Sequence, residues 1–149
     1  LDEYPIDDIL DEILVKNQIY SEQKAIAIQV ECDRHLSWFL DNDLVSNLLN
    51  DIFVNALRYS KSKLLLKAAV HAEQICFEIH DDGDGYPEFM LENAVEQMNN
   101  LNLAAGRTGL GLFFAHLIAV AHQNKGKNGR IELRNGGAYG GGVFRLWLP

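Results

Sequence analysis

The sequence predicts an α+β protein of the two-layer α/β sandwich type, a mixed sheet with helices on one face. Three observations predict it. Apolar residues alternate in several short runs, as in strands with one buried face. In other segments they recur every three or four residues, as on amphipathic helices. The two patterns interleave unevenly, and one adjacent pair of strands reads as a hairpin.

Pro5 stands at a first helical position, and Ile6, Ile9, Leu10, Ile13 and Leu14 follow at helical spacing. Asp7, Asp8, Asp11 and Glu12 fill the opposite face, the early acids suiting the positive end of a helix predicted to close near Tyr20. Residues 25–32 alternate through Ile26, Ile28 and Val30 and predict a strand. Residues 35–40 form a second short strand, closed by Asp41, Asn42 and Asp43. A long helix is predicted over 43–59. Strands over 64–71 and 75–80 meet through Ala72 and Glu73. Residues 81–87 are a loop rich in Gly and Asp, 88–100 a weakly patterned short helix, and 104–108 a further loop. Residues 110–121 are apolar almost all round, which predicts a buried helix. Strands over 131–133 and 143–148 close the chain, joined by the glycine-dense connection 135–142.

A chain of 149 residues with 48% hydrophobic content makes one domain with a real core. Thirteen basic against 21 acidic residues, a formal charge of −8, argue against nucleic acid as a partner and against direct contact with an anionic membrane. A phosphate ligand must then be held locally, by backbone amides, a helix end, a few basic groups and a metal ion. Cys32 and Cys76 lie in apolar alternating stretches with no Cys-x-x-Cys pair, and read as buried reduced thiols. The acidic start is unlike a signal peptide, and the apolar run over 110–121 is too short to span a bilayer. The expectation is a soluble, cytoplasmic domain, with any membrane anchor elsewhere in a longer protein.

Three stretches carry candidate chemistry. On the 43–59 helix, Asn47, Asp51, Asn55 and Arg58 fall on one stripe beside a wide apolar face. The Asn55 amide oxygen can ligate Mg²⁺, Asp51 can hold a metal-bound water or act as a base, and Arg58 can meet a phosphate oxygen. Taken alone, the stripe reads more simply as the solvated face of an amphipathic helix. The second stretch is Asp81-Asp82-Gly83-Asp84-Gly85-Tyr86, after a strand. A strand-end aspartate can accept a hydrogen bond from an exocyclic amine such as adenine N6. Gly83 and Gly85 permit close backbone approach, and Tyr86 can line a pocket wall. An ordinary acidic turn is the plain alternative, and a calcium loop is disfavoured because no glutamate closes it on schedule. The third is Gly106-Arg107-Thr108-Gly109-Leu110-Gly111-Leu112, which runs into the apolar helix. Bare amides at a helix start favour an anion, Thr108 can cap, Arg107 can reach a terminal phosphate, and Leu110 and Leu112 anchor the loop. A tight helix entry would show the same glycines.

In this order, Asp51-x-x-x-Asn55-Ala56-x-Arg58-Tyr59, Asp81-x-Gly83-x-Gly85 and Thr108-Gly109-Leu110-Gly111-Leu112 resemble the asparagine box and two glycine boxes of the histidine-kinase ATPase domain. That family belongs to the superfamily shared with DNA gyrase, heat-shock chaperone ATPases and MutL proteins. The closing Gly142-Val143-Phe144-Arg145-Leu146-Trp147-Leu148-Pro149 is similar to the family's last strand. The resemblance covers nearly the whole chain. It implies a Bergerat-type sandwich of about five strands and three helices, one ATP-binding catalytic domain over 1–149, and a place toward the C-terminal end of a longer sensor kinase. Carried over by position, Asn55 is the magnesium ligand with Asp51 beside it, and Arg58 and Tyr59 lie near the phosphates. Asp81 binds the adenine amine, Gly83 and Gly85 shape the adenine pocket, and Gly109, Leu110, Gly111 and Leu112 form the phosphate-side loop. Residues 87–108 form a lid over ATP. The implied partners are ATP, an upstream helical dimerisation domain bearing the phospho-accepting histidine, and a receiver domain of a response regulator.

Three positions depart from the pattern. Asp51 stands where many histidine kinases have Asn, the lid lacks an evident Phe-rich box, and Arg107 stands where glycine is common. Asp51 keeps open a hydrolysing ATPase or a serine kinase of the same superfamily. A non-catalytic module switched by nucleotide is the further alternative. None of His35, His71, His80, His116 and His122 has the setting of a phospho-acceptor, so this chain alone is expected to bind ATP and autophosphorylate poorly.

Overall fold

The computed structural model describes the backbone of residues 1–92 and 109–149. In chain order the elements are β1 (Asp2–Pro5), α1 (Ile6–Lys16), α2 (Gln18–Gln23), β2 (Ala27–Glu31), β3 (Ser37–Leu40), α3 (Asn42–Tyr59), β4 (Lys63–His71) and β5 (Gln74–Asp81). There follow α4 (Glu88–Glu92), α5 (Gly109–Ala121), β6 (Gln123–Asn124), β7 (Lys127–Asn128), β8 (Arg130–Asn135) and β9 (Gly142–Leu148). The main sheet has five strands in the order β2-β4-β5-β9-β8. β2 runs parallel to β4 and the other pairs are antiparallel, so the sheet is mixed, as predicted.

One face of the sheet and the helices enclose the core. Leu64, Leu66, Phe77, Ile79, Phe144 and Leu146 from the strands join Ile9, Leu10, Leu49, Phe53 and Leu57 from α1 and α3, all nearly inaccessible. The alternation that predicted strands is this burial: on β4 and β9 every second residue enters the core. The predicted hairpin turn is present, with Ala72 at φ 50° and Glu73 at φ 64°. Two L-residues in the left-handed region match the twist of a two-residue hairpin, at about 1 kcal/mol or more each.

Five expectations need correction. Pro5 ends a strand and precedes the first helical residue, because β1 pairs with β3, Asp2 opposite Leu40 and Pro5 opposite Ser37. The first helix stops at Lys16: Asn17 leaves helical geometry, and its amide donates to Ile13 O (2.8 Å) and to Asn50 Oδ1 on α3 (2.8 Å). α5 is not wholly buried. Leu112, Ala115 and Ala119 face the core, but Phe114 is 53% and Leu117 43% exposed, since a helix laid on a two-layer sandwich has only one side to cover. His35 precedes β3 instead of lying on a strand, and Cys32 is only half-buried.

The far face of the sheet carries an ionic ladder. On the central strand β5, Cys76, Glu78 and His80 are buried although they point away from the helices. Glu78 lies opposite Arg145, and Arg145 opposite Glu132. Arg145 Nε donates to Glu78 Oε1 and its Nη1 to Glu132 Oε1, both at 2.8 Å. Burial pushes the Glu78 carboxyl up, but hydrogen bonds from Arg145 and His80 outweigh it and hold it below the usual glutamate range. Burial, with the Glu78 charge beside it, pushes the Cys76 thiol up to about 12, so it is an inert core thiol.

Candidate nucleotide site

The C-terminal half of α3 and the end of β5 form one unit. α3 starts where Asp41 Oδ1 accepts the Leu44 N–H (3.1 Å), a side-chain cap that opens the helix at Asn42, one residue before the predicted start. Val45, Leu48, Leu49, Ile52, Phe53, Ala56 and Leu57 are buried, as the stripe pattern requires. The opposite edge carries Asp51 and Arg58, both exposed, with Asn55 half-buried between them. Among the described residues the Asn55 carboxamide has no hydrogen-bond partner, although it sits in a well-packed helix. The end of α3 is fixed by Lys24, whose ammonium donates to Leu57 O (2.7 Å) and Arg58 O (2.8 Å).

Asp82 ties this helix end to the loop after β5. Its carboxylate accepts the Lys61 N–H (2.7 Å), the Ser62 N–H (3.0 Å) and the Ser62 hydroxyl (2.6 Å). Partial burial raises the carboxyl, but these hydrogen bonds prevail and bring its pKa to about 2. Beside it, a Cβ added to Gly83 would stand 2.3 Å from the Tyr59 carbonyl oxygen. Only a glycine lets the loop lie this close to the helix terminus. Asn55 lies four residues before Tyr59, one helical turn from the end that the Gly83 loop touches.

Asp81 is 2% exposed at the end of β5. Its Oδ1 accepts the Gly83 N–H (2.9 Å) and the Gly142 N–H (3.0 Å). Gly85 has φ +87° and Tyr86 is buried. Asp81, Gly83, Gly85 and Tyr86 are therefore brought together, with Tyr59 against Gly83. α5 begins at Gly109 and packs on α3. Gly109, Leu110 and Gly111 make its first turn, and Leu112 is buried in the core. Arg107, Thr108 and most of the predicted 87–108 lid lie outside the described residues; of that stretch, Met90 on α4 is buried.

Sequence reasoning missed two participants. Asp82 enters the sequence reading only as part of the acidic loop and its disfavoured calcium pattern, although an aspartate after a strand followed by glycine is a common backbone acceptor. The connection between β8 and β9 was read only as glycine-dense, yet it packs against the Asp81 loop. The available signal was the glycine density itself, which marks close backbone approach.

No group of three or more His, Cys, Asp or Glu side chains suited to a metal is present among the described residues. The oxygen donors at hand are instead the Asn55 carboxamide and the Asp51 carboxylate. That set fits a hard cation that keeps water and phosphate for most of its shell.

A mixed sheet covered on one side by helices, with the glycine loop after β5 packed against the end of the helix that carries Asn55, defines an α/β sandwich. The family model of histidine kinase-, DNA gyrase B- and HSP90-like ATPases matches residues 40–149, and the chain belongs to this family. It is 25% identical over 148 residues to the sensor protein KdpD of Clostridium acetobutylicum, covering 97% of this chain and 16% of that protein. It is 28% identical over 148 residues to the signal transduction histidine-protein kinase AfsQ2 of Streptomyces coelicolor, covering 95% of this chain and 26% of that one. The chain thus spans only a minor part of these curated relatives. The fold matches the catalytic domain of histidine kinase ThkA in a nucleotide-free form, with a TM-score of 0.82 at 19% identity over 99% of this chain and 96% of that one. No helix among the described residues is long and apolar enough to cross a membrane.

Proposed function

We propose that this chain is the ATP-binding catalytic domain of a two-component sensor histidine kinase, which holds Mg-ATP and donates its γ-phosphoryl to a histidine on a separate dimerisation domain. The observation that carries the proposal is that the Gly83 loop packs against Tyr59 O, one helical turn beyond the half-buried Asn55. Asn55, with Asp51 one turn before it, would hold the metal, and Arg58 and Arg107 would meet phosphate oxygens. Asp81 would accept the adenine amine, with Tyr86 on the pocket wall. The amides at the start of α5 would face the phosphates. Magnesium, when bound, neutralises phosphate charge as the bond to the leaving ADP breaks. In the transfer the γ-phosphorus leaves the ADP oxygen and bonds to an imidazole nitrogen, which gives up its proton. The protein's share is positioning and exclusion of water. The acceptor histidine and a receiver domain would lie outside this chain, consistent with sensor-kinase relatives several times its length.

Asp51 favours one second reading, an ATPase in which this exposed carboxylate activates water. Asn55→Ala tests the main one. Magnesium-dependent ATP binding, followed by calorimetry, should be lost while circular dichroism stays unchanged. Unaltered affinity would remove the metal role. Phosphate release that depends on Asp51, without transfer to protein, would favour the hydrolase.

A further inference from the structure

On top of the nucleotide-site reading, we infer that the turn between β8 and β9 is a further wall of that site, and that Asn135 is the residue that positions the glycine loop in it. Asn135 is the last residue of β8, paired with Gly142 across the sheet edge. Its side chain leaves the sheet and grips one residue of the Asp81–Tyr86 loop from both sides. Oδ1 accepts the Tyr86 N–H at 2.8 Å, and Nδ2 donates to the Tyr86 carbonyl at 3.0 Å. A single carboxamide thereby reproduces the donor and acceptor of a neighbouring strand. Both backbone polar groups of Tyr86 are engaged at once, which fixes the direction in which its ring leaves the chain.

The fit is close. A Cβ on Gly85 would stand 2.7 Å from Asn135 Oδ1, and Gly85 already sits at φ +87°. The other end of the same turn holds the other end of the same loop. The Gly141 N–H donates to Asp81 O (3.2 Å) and the Gly142 N–H to Asp81 Oδ1 (3.0 Å). Between them, the Ala138 N–H donates to His80 Nδ1 (3.2 Å). Asp81 and Tyr86, the two proposed adenine contacts, are thus spaced by a turn that bears no motif of its own. Asn135 is also solvent-exposed as a residue. Truncating it opens no core cavity, so its role is separable from folding.

Without the carboxamide, the loop must be ordered by the nucleotide itself, and affinity falls by the lost pre-organisation. Two hydrogen bonds of ordinary net worth correspond to about a tenfold weaker dissociation constant. The clamp acts at the adenosine end, so ATP and ADP should weaken by the same factor. Aspartate is the sharpest substitution. It keeps the acceptor for the Tyr86 N–H but turns a carboxylate oxygen toward the Tyr86 carbonyl.

The experiment compares the whole protein with its N135A, N135D and L133A variants by calorimetry with ATP and ADP, by thermal melting, and by amide hydrogen exchange without nucleotide. Leu133 lies on the same strand but in the core, so L133A lowers the melting temperature without touching the clamp. The expected result is about a tenfold loss for both nucleotides in N135A and N135D. Exchange at Tyr86 should be faster, melting lowered by no more than in L133A, and nucleotide affinity of L133A normal well below its melting point. A wild type that binds ATP beside an N135A protein with unchanged affinity and unchanged exchange would overturn the role of Asn135 and leave the nucleotide site standing. The same loss in L133A would reduce the effect to stability and also overturn it. A wild type that binds neither nucleotide would remove both readings.

Discussion

Asp81 has a structural task and a proposed adenine contact, which a pair of substitutions separates. Its Oδ1 accepts backbone N–H groups from Gly83 and Gly142, and the side chain is buried. Asp81→Ala strands both donors. At about 1–3 kcal/mol for each unsatisfied group, and with Gly83 partly solvated, the loss should be about 2–4 kcal/mol. For a domain of this size that lowers the melting temperature by about 5–15 °C. Asp81→Asn behaves differently. The two N–H donors hold the amide oxygen at the Oδ1 position, which sends Nδ2 to the place of Oδ2. Both backbone bonds survive, so the loss of stability should be smaller than in Asp81→Ala. The ligand, however, now meets a donor where it met a charged acceptor. Loss of a charge-assisted hydrogen bond, with repulsion between two donors, amounts to about 2–4 kcal/mol, or roughly 30- to 1000-fold in ATP affinity. Guanine presents a carbonyl where adenine presents an amine, so GTP should lose little or gain. Calorimetry with both nucleotides on the two variants, alongside thermal melting, reads all of this. Equal losses of ATP and GTP in Asp81→Asn would refute the adenine contact. A large fall in its melting temperature would refute the assigned hydrogen-bond geometry.

Two further outcomes follow from the charged groups. Asp82 has its pKa depressed to about 2, so its stabilising contribution is complete above the ordinary aspartate range and is lost as pH falls from about 4 through 2. After discounting for its solvent contact this is about 1 kcal/mol, and Asp82→Asn should flatten the acid limb of a melting-temperature profile by that amount. An unchanged limb would show that the Ser62 contacts contribute nothing net. Arg145→Ala should cost about 2–3 kcal/mol at neutral pH, because Glu78 would stay buried with only His80 as partner. Replacing Glu78 with Gln in the same protein should recover part of it, and additive losses in denaturant melts would dissolve the proposed coupling.

Much of this fold was legible in the chain because much of it is locally encoded. The alternation of Leu64, Leu66 and Ala68 reports strand geometry through burial on one face. The spacing of Leu49, Phe53 and Ala56 reports a helix in the same way, and with it places Asn55 on the side away from the core. Such patterns need only a residue and its near neighbours. The glycines after Asp81 likewise announced close approach, though not of which groups.

Tertiary structure alone decided the rest, and the common reason is long sequence separation. The break at Asn17 answers to Asn50 on another helix, and the strand at Asp2 exists because Leu40 lies opposite it. The grip of Asn135 on Tyr86 joins residues 49 positions apart. Register and packing create such contacts, and no periodicity in either partner foreshadows them. Glu78, which Arg145 holds, reads in sequence as a solvent-facing strand position. It is buried because β5 lies at the centre of the sheet, a place set by strand order and invisible in the alternation of any single strand.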